Sequence, residues 1–73
     1  MKEKKTYALT FSVDSYEREE LDKMSQQELY DLASVASTVG YDEADVMTLD
    51  VFSYKVNEEQ ISLDNCWLYF VTL

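Results

Sequence analysis

Thr6-Tyr7-Ala8-Leu9-Thr10-Phe11-Ser12-Val13 alternates without a break. Tyr7, Leu9, Phe11 and Val13 fall on one side of an extended chain; Thr6, Ala8, Thr10 and Ser12 fall on the other. Successive side chains of a strand point to opposite faces, so this is the pattern of a half-buried β-strand. A second strand signal closes the chain, Cys66-Trp67-Leu68-Tyr69-Phe70-Val71-Thr72. It is β-branched or aromatic at most positions and apolar on both faces. Two strands from opposite ends of the chain are expected to pair.

The residues between them read as helices and acidic loops. Residues 14–24 are charge-rich and predict a loop with one helical turn around Glu17 to Asp22, with Leu21 and Met24 tucked beneath it. Ser25-Gln26-Gln27-Glu28 then matches a capping box, a serine with a glutamate three residues on. A helix is predicted over 26–38, with Leu29, Leu32, Ala33 and Ala36 on one face. Gly40, the only glycine, is suited to a helix end with positive φ. Residues 41–47 read as a second acidic loop with a short extended piece at Val46-Met47. Thr48 suits the cap of a short helix over 49–56, with Asp50 in its first turn. Met47 and Phe52 are spaced as a hydrophobic staple. Asn57 is the expected left-handed terminator. Residues 58–65 read as the loop that leads into the closing strand.

The predicted fold is α+β, a small β-α-α-β domain. Two helices are expected on one face of a two- or three-stranded antiparallel sheet. Two strands alone are marginal and leave open edges and a bare face. A homodimer through that face or an edge is one cover; a third strand from residues 41–48 is another. If Leu68 and Phe70 face the helices, Trp67, Tyr69 and Val71 face outward as an interface. The opposite assignment fits the sequence nearly as well. Tryptophan and tyrosine are the residues that most often anchor protein interfaces.

At 73 residues the chain predicts one domain, and its 47% apolar content suffices to fold rather than stay disordered. No apolar run approaches the roughly 20 residues of a membrane span. The basic start lacks the apolar stretch of a signal peptide, and Cys66 has no internal disulfide partner. The expected location is the cytoplasm, with no membrane partner.

The net charge is −9, and it is uneven. Residues 1–13 carry Lys2, Lys4 and Lys5 against Glu3, a net of +2. Residues 14–73 carry fourteen acids against Arg18, Lys23 and Lys55, a net of −11. Such a field repels phosphate backbones, so direct nucleic-acid binding is not expected; it attracts basic proteins. Glu17, Glu19 and Glu20, together with Asp42, Glu43 and Asp45, form the candidate docking patch for such a partner.

Catalytic chemistry finds little support. Histidine is absent, which removes Ser-His-Asp, Cys-His and histidine-metal arrangements. Cys66 lies in an apolar strand with no basic neighbour to activate it. Asp42-Glu43-Ala44-Asp45 spells the acidic box of a helicase family, but no phosphate loop accompanies it. Asp42, Glu43, Asp45 and Asp50 supply oxygen donors, yet their spacing is not that of a calcium loop. No cofactor is expected. The sequence therefore favours a non-enzymatic protein-interaction domain, binding a basic partner or itself. The alternative is a nucleic-acid mimic that inhibits a DNA- or RNA-binding protein; a small enzyme is the remote one.

Overall fold

The alternating N-terminal segment forms β1, Thr6–Ser12, and takes the centre of the sheet. The computed structural model describes residues 3–38 and 43–73. After β1 come α1, Arg18–Asp22, and α2, Gln26–Thr38. These are followed by β2, Ala44–Thr48, and α3, Leu49–Asn57. A 3₁₀ turn at Leu63–Asn65 leads into β3, Cys66–Thr72.

Both neighbours run antiparallel to β1, giving the strand order β2-β1-β3. The expected α+β class and antiparallel sheet are what the structure shows. The third strand comes from the second acidic loop, as Ala44–Thr48. Tyr7 lies opposite Thr48 and Val71; Leu9 lies opposite Val46 and Tyr69; Phe11 lies opposite Ala44 and Trp67. Cross-strand neighbours share a face, so these residues form one face of the sheet.

Against that face pack α2 and the short α1. Leu9, Phe11 and Val71 meet Leu21, Leu29, Ala33, Ala36 and Ala44 in one core. The alanines of α2 give the close helix–sheet approach read from their spacing. The capping box forms as predicted: Ser25 Oγ accepts from the Glu28 N–H at 3.2 Å, and Glu28 Oε1 accepts from the Ser25 N–H at 3.4 Å.

The layering differs from expectation in one respect, since the two longer helices are divided between the faces. The face of β1 that carries Ala8 lies opposite Met47 and Phe70. Ala8 and Met47 are buried yet stand outside the main core. Their cover is α3, which lies over β1 and β2 and sends Phe52 edge-on to Phe70, ring centroids 5.7 Å apart. That face is apolar at Ala8, Met47 and Phe70 and needs a cover, and α3, joined to β2 with no linker residue, leaves the sheet at Thr48 to lie against it. Thr48 Oγ1 caps the new helix by accepting from the Val51 N–H at 3.3 Å.

The left-handed residue past α3 is Glu59, at φ 56°, rather than Asn57. The Gln60 N–H reaches the Lys55 carbonyl at 2.8 Å and the Glu59 N–H reaches Val56 at 3.1 Å. That pair of bonds is a Schellman ending, and it fixes the left-handed position one residue before Gln60. Gly40 lies outside the described residues.

Candidate interaction surface

The three predicted interface residues of β3 point inward. Val71 is 1% exposed and belongs to the core, so it cannot contact a partner. Trp67 and Tyr69 are half-buried beneath α1. The Trp67 indole N–H donates to the Tyr16 carbonyl at 3.0 Å. The Tyr69 hydroxyl donates to Asp22 Oδ1 at 2.5 Å. The Arg18 guanidinium lies over both rings, 5.5 Å from the Trp67 centroid and 5.3 Å from that of Tyr69. Ring faces attract cations, so Arg18 clamps α1 onto the edge of the sheet. Burial pushes the Tyr69 phenol upward, the hydrogen bond to Asp22 adds to this, and the Arg18 charge opposes it.

The inward turn of Trp67 puts Leu68 and Phe70 on the other face. Here α3 covers β1 and β2, and β3 lies at the sheet edge. Phe70 keeps 53% of its surface exposed despite its contact with Phe52. Leu68 and Phe52 beside it are only partly buried. An uninterrupted apolar run carries no parity signal, which is why the sequence could not choose between the two faces.

The main-chain edge of β3 is open along the same stretch. Lys5 and Leu73 exchange both N–H···O bonds at 2.9 Å, and the Val13 N–H donates to the Asn65 carbonyl at 3.2 Å. Directly opposed antiparallel pairs alternate between bonded and non-bonded. By this alternation Val71, Tyr69 and Trp67 bond inward to β1, while Thr72, Phe70 and Leu68 aim their N–H and C=O groups outward. Gln26 Oε1 accepts from the outward Thr72 N–H at 2.7 Å. Among the described residues, Leu68 and Phe70 have no such cover. On β2 the outward Val46 N–H is met by Asp45 Oδ1 at 2.9 Å.

The candidate acidic patch is divided by the sheet. Glu17, Glu19 and Glu20 are exposed on and beside α1. Asp45 projects to the α3 face, where its Oδ2 lies 3.8 Å from Lys55 Nζ. Glu43 joins the end of β1, its carbonyl accepting from the Ser12 N–H at 2.6 Å. Its charge adds to the burial that raises the Tyr16 phenol. Asp42 lies outside the described residues.

An open cavity of about 430 Å³ lies under the 60–62 loop, lined by Thr10, Ser12, Asp45, Ile61 and Cys66 among others. Burial raises the Cys66 thiol, and its Sγ approaches the Ser62 carbonyl at 3.5 Å. Among the described residues, no three histidine, cysteine, aspartate or glutamate side chains gather as a metal site. Nor is any helix there long and apolar enough to cross a membrane. No protein-family model matches the chain, and neither a curated protein nor a solved structure does so.

Proposed function

We propose that the chain is a non-enzymatic protein-interaction domain that engages its partner through the Leu68–Phe70 side of the sheet. The observation that carries this reading is Phe70, a large aromatic residue 53% exposed on an edge strand without a single charge. Edge strands are ordinarily blunted by charge, proline or a bulge, and β3 has neither a charged residue nor a proline between Cys66 and Thr72. The non-enzymatic part of the reading is supported by the absence of histidine and by a thiol whose pKa burial raises rather than lowers.

The test compares wild type with Phe70→Lys, after circular dichroism and denaturation show that both fold. Sedimentation velocity follows self-association, and affinity capture from source-cell lysate follows foreign partners. The reading requires that self-association or a captured protein be lost in the variant. Equal behaviour of the two chains would remove it.

A second reading rests on a different observation: Glu17, Glu19 and Glu20 stand exposed without an ion-pair partner among the described residues. Such a row favours mimicry of a phosphate backbone toward a basic nucleic-acid-binding protein. Competition with DNA or RNA for the captured partner, sharply weakened by salt, distinguishes it.

A further inference from the structure

We infer that the open edge of β3 accepts an extended, basic segment of another protein as a fourth strand of the sheet. This rests on the interaction-domain reading above and specifies its partner. Strand addition needs an edge with free main-chain groups and pockets for alternate side chains. At Leu68 and Phe70 both conditions meet: their N–H and C=O groups point away from β1, and their side chains offer an apolar surface beside Phe52. The Gln26 side chain on the Thr72 N–H already occupies the position a neighbouring strand would take, and it marks one end of the vacant stretch.

The charge of the partner follows from what flanks the edge. Asp22 holds the Tyr69 hydroxyl and Arg18 covers Trp67 and Tyr69, so α1 lies over the edge strand on the core side. Residues 17–23 carry Glu17, Glu19, Glu20 and Asp22 against Arg18 and Lys23, a net of −2. A second copy would bring its own α1, with the same excess of carboxylates, to the same side. A strand with basic side chains there gains attraction instead.

The geometry also fixes which residues of the incoming strand do what. Added antiparallel, the orientation of both pairings already in this sheet, the residues that hydrogen-bond to Leu68 and Phe70 lie directly opposite them and share their face. They are therefore apolar and lie beside Phe70 and Phe52. The alternate residues point to the α1 side and are basic, with their own N–H groups turned to solvent.

The probe is a synthetic peptide as long as β3, seven residues, with valine and lysine alternating and both ends blocked. Its binding is followed by fluorescence anisotropy and by amide shifts and hydrogen exchange at Leu68 and Phe70. The expected result is slowed exchange of those two amides, and loss of binding at high salt or when glutamate replaces lysine. N-methylation of the valines should weaken binding at least about tenfold, the effect of two or more lost hydrogen bonds. N-methylation of the lysines should leave it unchanged. Equal binding of the two methylated peptides, or no binding of any, overturns strand addition. A free chain that sediments as a dimer with both amides already protected also overturns it, because a second copy then holds the edge. That last outcome leaves the interaction-domain reading intact, whereas an unaltered Phe70→Lys chain would remove that reading itself.

Discussion

Tyr69 shows how one side chain can bind an element that has little else to hold it. With only five residues, α1 is far below the length at which a helix stands alone in water. Leu21 anchors it in the core, and the Tyr69–Asp22 hydrogen bond and the Arg18 stack fasten its outer side. Tyr69→Phe keeps the ring under Arg18 and removes only the hydroxyl. We expect it to cost about 1 kcal/mol in urea denaturation, the usual worth of one such bond. The phenols of Tyr69 and Tyr16 and the Cys66 thiol all lie above their ordinary values of 10.0, 10.0 and 9.0, in each case chiefly through burial. The folded state therefore holds these protons more tightly than the unfolded chain does. Their contribution is complete below the ordinary values and is lost as pH rises through the raised ones. Stability should fall on the alkaline side, and a series of denaturation curves at rising pH should show a shallower fall in Tyr69→Phe. The same protonated thiol should make Cys66 slower to alkylate at neutral pH than a free cysteine.

At the scale of elements, local chemistry decides where the chain starts and stops each unit. Ser25→Ala removes an N-cap and should destabilise α2 by about 1 kcal/mol. Glu59 is the converse case, a residue with a β-carbon held at φ 56° because the Schellman bonds require it. A left-handed residue other than glycine costs roughly 1–2 kcal/mol. Glycine recovers most of this and gives some back as unfolded-chain entropy, so Glu59→Gly should raise stability by about 0.5–1 kcal/mol, read as a higher urea midpoint at unchanged slope. These units also show what could be read beforehand. β1 and α2 were legible because alternation and the capping box are local signals. β2 was only half legible, because it is five residues long and Asp45 sits within it, giving it the composition of a loop. Asp45 is tolerated there because it faces α3, where Lys55 and the Val46 N–H meet it. The exchange of Trp67 and Tyr69 for Leu68 and Phe70 as the outward residues depends on β1 registering with β3, which no local pattern in an all-apolar run encodes.

For the molecule as a whole, the net charge of −9 is opposed by very little internal pairing. Lys55 with Asp45, at 3.8 Å and partly exposed, is the one ion pair among the described residues. A pair of that kind contributes about 0–1 kcal/mol. Arg18 stacks on two aromatic rings and makes no ion pair among the described residues. The carboxylates therefore mostly repel one another, and the repulsion is strongest in the compact state, where they are closest. Salt screens such charges, the Debye length shrinking from roughly 30 Å at 0.01 M to about 3 Å at 1 M. Raising sodium chloride across that range should raise the thermal midpoint. The opposite sign would mean that the Lys55–Asp45 pair and the Arg18 stack outweigh the summed repulsion, and Arg18→Gln should then abolish much of the salt effect. The same screening acts oppositely on a basic strand at the β3 edge, whose affinity should fall as the domain itself grows more stable. Stability and binding measured on one salt series thus separate a carboxylate surface that only repels itself from one that also attracts a partner.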